Sequence, residues 1–217
     1  MCNLYSYTKG QTAIRELAEA MRDTTGNLPP LPGIFPDTMA PVVRTARDGI
    51  REITMMRWGF PCPPAAGNRP VTNIRNLSSP YWRGWLRAPF RCLVPATSFC
   101  EWADTKPKKT PTWFALDDSR PVFFFAGLWR PWTGARKGTE GEHLLFSFLT
   151  TEANAEVAPV HPKAMPVVLT TREEARAWMT APVEDALSLQ RPLPDGTLRV
   201  VATGITEDGE TLLMPGF

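Results

Sequence analysis

The chain has 217 residues and a formal net charge of +2; 43% of its residues are hydrophobic and 21% are charged. This length and balance predict one globular domain over residues 1–217 with a sizeable core, and they exclude a disordered chain. The small net charge is not typical of a nucleic-acid-binding protein, although it allows a local basic groove. Neither a basic leader with an apolar run nor about 18 consecutive apolar residues occurs, so we expect a cytoplasmic protein without a membrane segment.

The predicted elements of the first part of the chain are a helix and a hairpin. The helix covers residues 12–22, where apolar side chains recur on one face before Gly26. A rigid proline-rich linker follows over residues 29–33. Asp48-Gly49 then predicts a hairpin between strands 42–44 and 51–58. A loop follows from Pro61 to Pro70.

Short strands dominate the rest of the chain. After a short extended piece at residues 73–76, strands are predicted over residues 90–94, 99–102, 112–116, 122–129, 143–150, 165–169 and 198–202. Helices are predicted over residues 79–86 and 171–179, the second opened by a capping box at Thr171 and Glu174, and a helical turn over residues 152–157. Residues 106–109 form a basic hairpin tip and residues 131–142 a loop. About eight to ten strands and three short helices predict a single α+β domain dominated by β structure.

The cysteines give little support for a metal site or a disulfide framework. They are Cys2, Cys62, Cys92 and Cys100. No two form a CxxC pair, and the only histidines are His143 and His161, so we expect no bound metal and no cofactor. Cys92 and Cys100 lie in apolar segments and are predicted to be buried, reduced thiols.

Cys2 is chemically distinctive because it follows the initiator methionine. A side chain as small as cysteine usually permits removal of that methionine, which leaves a free α-amine beside the thiol. The amine can attack an aldehyde to give an imine, and the thiol can then close a stable five-membered ring. The alternative is that position 2 is an accident of translation.

Two further residues are candidates for proton transfer. Glu101 interrupts an apolar strand, so it lies either on the solvent face of a half-buried sheet or in a pocket where desolvation raises its pKa. His161 stands between two prolines before an apolar strand, which suits a positioned acid or base, although a loop histidine can equally be a surface residue.

Asn73 and Arg75 lie two residues apart in a short extended piece, so both side chains can face one side and hold a sugar and a phosphate. The alternative is loop capping by the asparagine and a solvated arginine. Several of the eight tryptophans fall in predicted strands and are mostly core, although some can stack on bases.

Taken together, these positions resemble the SRAP family, the SOS-response-associated peptidase family of abasic-site crosslinking proteins. The resemblance runs from Met1 to about Met179. It rests on Met1-Cys2, Trp58-Gly59-Phe60, Asn73-Ile74-Arg75, Cys92 to Ala96, Phe99 to Trp102, Phe125 to Trp129, Leu149 to Asn154, and His161 with Met165 to Leu169.

The resemblance implies a barrel-like mixed sheet and a covalent DNA function. In the family, the N-terminal cysteine captures the aldehyde of an abasic site in single-stranded DNA as a thiazolidine, which shields the lesion. Cys2 matches that cysteine, and Asn73 matches the residue that holds the sugar. Glu101 matches the glutamate that assists ring opening, and His161 the histidine that acts on the sugar oxygen and imine.

The resemblance also places Arg75, Trp102 and Thr150 along the DNA channel. It implies a monomer that works in the SOS response, needs no cofactor and is nucleoid-associated when bound to DNA. Weak strand cleavage by an abasic-site lyase reaction is a side expectation.

The chain departs from the family pattern at several positions. Asn3 and Leu4 replace the usual Gly and Arg, Leu77 replaces the acidic residue after the Asn-x-Arg motif, and Ala164 replaces an Arg. Pro61-Cys62-Pro63-Pro64 replaces an aromatic cluster. These changes affect the expected grip on DNA, while the four proposed catalytic residues are intact.

Two other functions fit the same residues. One is a cysteine peptidase that uses Cys2 and His161 to process its own N-terminus. The other is a non-catalytic single-strand-binding module, for which binding would be salt-sensitive and independent of Cys2.

Overall fold

The computed structural model of the chain describes residues 2–62 and 69–209. The strands are β1 (Tyr5–Tyr7), β2 (Arg22–Asp23), β3 (Leu31–Ile34), β4 (Met39–Thr45), β5 (Arg51–Trp58), β6 (Asn73–Ile74), β7 (Arg91–Ala96), β8 (Ser98–Ala103), β9 (Thr110–Ala115), β10 (Phe123–Arg136), β11 (Thr139–Thr151), β12 (Met165–Pro166), β13 (Val168–Leu169) and β14 (Arg199–Thr203). The helices are α1 (Gln11–Ala18), α2 (Pro80–Arg83), α3 (Arg172–Thr180) and α4 (Val183–Leu187), with a 3₁₀ turn at Ala88–Phe90. None of the helices in these described ranges has the length and apolarity that a membrane crossing requires.

Five strands form a closed barrel. In the order β5, β4, β7, β10 and β11, each strand is antiparallel to the next. The ring closes where β11 runs parallel to β5, with Leu145 opposite Arg57 and Phe146 opposite Trp58. Closure pairs the edges that an open sheet would leave exposed. The predicted fold class, a β-dominated α+β fold with a barrel-like mixed sheet and short helices, is confirmed.

A second sheet has the strand order β14, β9, β8, β1 and β3. Tyr5 of β1 connects it to the barrel, because its buried ring meets Trp58 edge-on at 5.2 Å and Phe125 at 5.5 Å between centroids. Trp58 in turn stacks on Phe148 at 5.1 Å. Such pairs contribute about 0.5–1.5 kcal/mol each beyond the burial of their area. The aromatic core therefore fixes β1, and the chain that leads into it, against the barrel.

The prediction of a loop over residues 131–142 is wrong. Strands β10 and β11 continue as a long hairpin that turns at Lys137 and Gly138, which both have positive φ, 48° and 78°. The distal arms alternate polar and half-buried residues without an apolar face, so the sequence lacks the hydrophobic period of a strand. Side-chain pairing supports the arms instead: Trp132 stacks on His143 directly across the ladder.

The first predicted helix is also too long. Helix α1 ends at Ala18, because Glu19 adopts a left-handed conformation (φ 54°) and donates its backbone N–H to Arg15 O. Residues 22–23 then form β2, and most of the predicted linker belongs to β3.

Other predicted elements match more closely. The Asp48-Gly49 hairpin is present between β4 and β5. Thr171 caps α3 by accepting from Glu174 N, although the Glu174 carboxylate bonds the N–H of Thr170 rather than that of Thr171. Residues 152–157 contain turns and no helix, and α4 was not predicted. The predicted loop from Pro61 to Pro70 lies partly outside the described residues, at 63–68, as does Met1.

Candidate active site

Cys2 lies in the core, between the barrel and the second sheet. Its side chain is fully buried, and Sγ is 3.4 Å from Leu4 O. Leu4 O also accepts the N–H of Cys100 at 2.9 Å, and Tyr5 pairs with Phe99. Because β1 and β8 are antiparallel, this register directs the N-terminal segment toward the end of β8. Burial, reinforced by the charge of Glu101, raises the pKa of the Cys2 thiol well above its usual value, so the thiol is protonated at neutral pH.

Glu101 occupies a pocket rather than the solvent face of its strand. It is 1% exposed, and β8 alternation places it on the same face as Phe99, which contacts Phe125 of the barrel. Burial raises the pKa of this carboxyl from 4.5 to about 7. At neutral pH Glu101 therefore exists in both its acid and its base form.

His161 stands beside this carboxyl, with Nδ1 3.9 Å from Glu101 Oε2. Its backbone N–H donates to Val157 O at 2.8 Å, which fixes the loop. Nδ1 lies 2.8 Å from Ala164 O, and because a carbonyl can only accept, Nδ1 carries the proton. Burial lowers the pKa of His161, and the charges of Lys163 and Lys109 act in the same direction. In the neutral ring the lone pair is therefore on Nε2.

Asn73 contacts Cys2 directly. Its Nδ2 donates to Cys2 O and to Thr72 Oγ1, both at 2.8 Å. Strand β6 is held parallel to β11, and the indole N–H of Trp58 donates to Thr72 O at 3.0 Å. The structure thus brings Cys2, Asn73, Glu101 and His161 into one site from four separated parts of the chain.

The three residues predicted to line a DNA channel differ in exposure. The side chain of Arg75 is 48% exposed and lies 3.7 Å from Glu152. Trp102 is half-buried on the opposite face of β8 from Glu101. Thr150 is 1% exposed, so its side chain is not accessible to DNA in this structure. Of the three, Arg75 is the one presented to solvent.

Sequence reasoning missed two contributors to the site. Thr72 links Asn73 to Asn3, since its hydroxyl donates to Asn3 Oδ1 at 3.0 Å. Lys109 belongs to the basic hairpin tip that the sequence indicated, but only the fold brings its charge near His161. In the described part of the chain, no three His, Cys, Asp or Glu side chains converge as a metal site requires.

A groove of about 1210 Å³ lies away from these residues, between β4, β10 and the 3₁₀ turn. Arg44 stacks over Trp129 there, and Arg22 and Arg44 both pair with the buried carboxylate of Glu52. These guanidinium contacts are satisfied within the protein, and the groove contains none of the four converging residues. Size alone does not make it the reactive site.

A family model matches most of the chain and shows which protein family it belongs to. The model describes the SOS response associated peptidase (SRAP) family and matches residues 1–205. The chain belongs to the SRAP family.

Two relatives with curated names match the chain over 62% of its length. The chain is 36% identical over 144 residues to abasic site processing protein YoqW of Bacillus subtilis, a match that covers 62% of this chain and 60% of YoqW. It is 32% identical over 145 residues to abasic site processing protein YobE of the same organism, covering 62% of each. The chain therefore matches about three fifths of the length of these two relatives.

Solved structures share the fold. A protein from Bordetella bronchiseptica superposes with a TM-score of 0.73 at 24% identity, covering 94% of this chain and 98% of that one. A protein from Bacteroides thetaiotaomicron gives a TM-score of 0.72 at 23% identity, with 91% and 90% covered. At this identity the likeness shows the fold alone.

Proposed function

We propose that this SRAP-family protein captures abasic sites in single-stranded DNA by covalent reaction of Cys2 once Met1 has been removed. The observation that carries the proposal is the convergence of Cys2 with Asn73, Glu101 and His161 between the two sheets. Two relatives, YoqW and YobE, are named abasic site processing proteins. Family membership supports extending that activity to this chain.

The chemistry has two steps and releases one water. The α-amine of Cys2 adds to the aldehyde carbon of the ring-opened sugar, and the resulting carbinolamine loses water to give an imine. The thiol then adds to the imine carbon, forming a C–S bond, and its proton passes to the nitrogen. The product is a thiazolidine in which both groups of one residue are bound to the same carbon.

The environment of Glu101 and His161 suits the proton transfers. With a pKa of about 7, Glu101 can accept a proton from the attacking amine and can donate one to the departing hydroxyl. The neutral ring of His161, whose Nδ1 lies 3.9 Å from Glu101 Oε2, can act as a second base through Nε2. Asn73 fixes the backbone of Cys2, so the amine has a defined position relative to both groups.

The protonated thiol of Cys2 fits this order of events better than it fits a peptidase. A cysteine peptidase needs a thiolate as its first nucleophile, whereas burial raises the pKa of this thiol. In ring closure the amine attacks first, and the thiol is required only after the imine exists. Self-processing remains testable by intact mass, since it predicts that Met1 persists in a Cys2→Ala variant.

Positive charges beside the site support a nucleic-acid partner. Lys109 and Lys163 lie near enough to His161 to lower its pKa, and Arg75 is exposed beyond β6. Phosphates of a single strand can be held by such groups. We propose single-stranded DNA with an abasic site as the substrate and expect action as a monomer in the cytoplasm.

A denaturing gel tests the proposal. Protein without Met1 is incubated with a single-stranded oligonucleotide that holds one abasic site. We expect a stable shifted band for the wild type and none for Cys2→Ala. Cys2→Ser keeps the amine but has a weaker ring-closing group, so its adduct should require borohydride reduction and its DNA should show strand cleavage by β-elimination. Equal absence of adduct from wild type and Cys2→Ala would refute the proposal.

A further inference from the structure

Asn73 presents a buried oxygen that nothing in the described part of the chain satisfies. The residue is 8% exposed, and Oδ1 has no hydrogen-bond partner among the described residues. A buried acceptor left unpaired costs about 1–3 kcal/mol. Such a group marks a place that a donor from outside the protein can fill.

The orientation of this amide is determined by its neighbours. Both hydrogens of Nδ2 are used, one by Cys2 O and the other by Thr72 Oγ1. Cys2 O is a carbonyl and can only accept, so a reversed amide would set two oxygens against each other. Oδ1 therefore points away from both partners.

Thr72 is the middle link of a directed chain of hydrogen bonds. Its hydroxyl hydrogen goes to Asn3 Oδ1 at 3.0 Å, which leaves its lone pairs to accept from Asn73 Nδ2 at 2.8 Å. Its backbone carbonyl is fixed by the indole of Trp58. Asn3 stands where the family usually has glycine, so the hydrogen bond from Thr72 to Asn3 is a feature of this particular protein.

We propose that Thr72, oriented by Asn3, is a positioning residue that holds the Asn73 amide with its oxygen toward a substrate hydroxyl. This inference rests on the proposed function of the site. Thr72 acts through Asn73 and does not touch the reacting atoms. Preorganisation of this kind raises the rate of the chemical step more than it raises affinity.

A pair of matched variants tests the inference. Thr72→Val keeps the shape and removes the hydroxyl, and Thr72→Ser keeps the hydroxyl. Crosslinking is measured in a single turnover at saturating abasic oligonucleotide, and affinity is measured with an unreactive tetrahydrofuran analogue of the lesion. We expect Thr72→Val to slow crosslinking about five- to tenfold at unchanged affinity, the size of one hydrogen bond. Its melting temperature should fall, because the buried Nδ2–H of Asn73 loses its acceptor. Thr72→Ser should react within about twofold of the wild type.

Asn3→Gly provides a second arm. If Asn3 acts through Thr72, the Asn3→Gly substitution should slow crosslinking when Thr72 is present. It should not slow crosslinking further in protein that already carries Thr72→Val. A wild-type rate for Thr72→Val, an equal loss in Thr72→Ser, or additive effects of the two substitutions would overturn the inference.

A measurement without DNA separates this inference from the proposed function. In ¹⁵N-labelled free protein, the side-chain amide protons of Asn73 should exchange slowly in the wild type and in Thr72→Ser, and faster in Thr72→Val. Equally fast exchange in all three proteins would refute the network whatever the DNA assay gives. Slow exchange together with no adduct from the wild type would refute the proposed function and leave the network intact.

Discussion

Glu101→Gln should stabilise the free protein above neutral pH while it slows the reaction. Glu101 is 1% exposed, and burial raises its pKa from 4.5 to about 7. A carboxyl whose pKa is higher in the folded state stabilises the fold fully below pH 4.5, and that contribution is lost as the pH rises through about 7. At about 1.4 kcal/mol for each tenfold change in proton affinity, the loss is on the order of 3 kcal/mol. Glutamine stays neutral at every pH, so the Glu101→Gln variant does not undergo this loss of stability.

The assay is urea unfolding of wild type and Glu101→Gln at pH 5, 6, 7 and 8. The variant's advantage in free energy of unfolding should be less than about 1 kcal/mol at pH 5 and reach on the order of 3 kcal/mol above pH 7. Glu142→Gln, on the exposed arm of β11, is the control for removing a solvated carboxylate. The same Glu101 variant should crosslink at least about 100-fold more slowly, the lower end of the contribution that general acid–base catalysis makes. A difference in stability that does not change with pH, or a wild-type crosslinking rate, would refute this reasoning.

Three further predictions address other parts of the molecule. His161→Gln should slow crosslinking about 100-fold, and because burial lowers the pKa of His161, the wild-type advantage should decline only below pH 6.5 in a pH–rate profile. Arg75→Ala should reduce the slope of log affinity against log salt by about one at unchanged melting temperature, and an unchanged slope would remove Arg75 from the DNA contact. Arg120→Met should destabilise the fold by about 3–5 kcal/mol in urea unfolding, because it leaves the 1% exposed carboxylate of Asp208 without its 2.7 Å ion pair. A loss under about 1 kcal/mol would contradict that account.

Much of the strand pattern could be predicted from local sequence, but its assembly could not. The apolar runs that became β7, β8 and the first half of β10 are visible because most of their positions are buried and hydrophobic. The distal hairpin of β10 and β11 is exposed and polar, so no hydrophobic period marks it. The parallel contact of β11 with β5 joins Phe146 to Trp58 across a long stretch of chain, and local patterns do not encode such closure.

The site residues, too, could be predicted from the sequence only in part. Sequence identified Glu101 as unusual, yet the two interpretations, solvent face or pocket, were separated only when β8 was placed against the barrel. Thr72 carried no signal, because a threonine before an asparagine is ordinary until its hydroxyl is seen between Asn73 and Asn3. The single-domain organisation and the DNA contacts of Trp102 and Thr150 stay predictions.

The most direct test of the central claim is the intact mass of the protein after reaction with the abasic oligonucleotide, without any reductant. We expect a species equal in mass to the chain without Met1 plus the oligonucleotide minus one water, stable to denaturation and absent from Cys2→Ala. An equally abundant adduct from Cys2→Ala, or no adduct from wild-type protein whose mass shows that Met1 is gone, would contradict that claim.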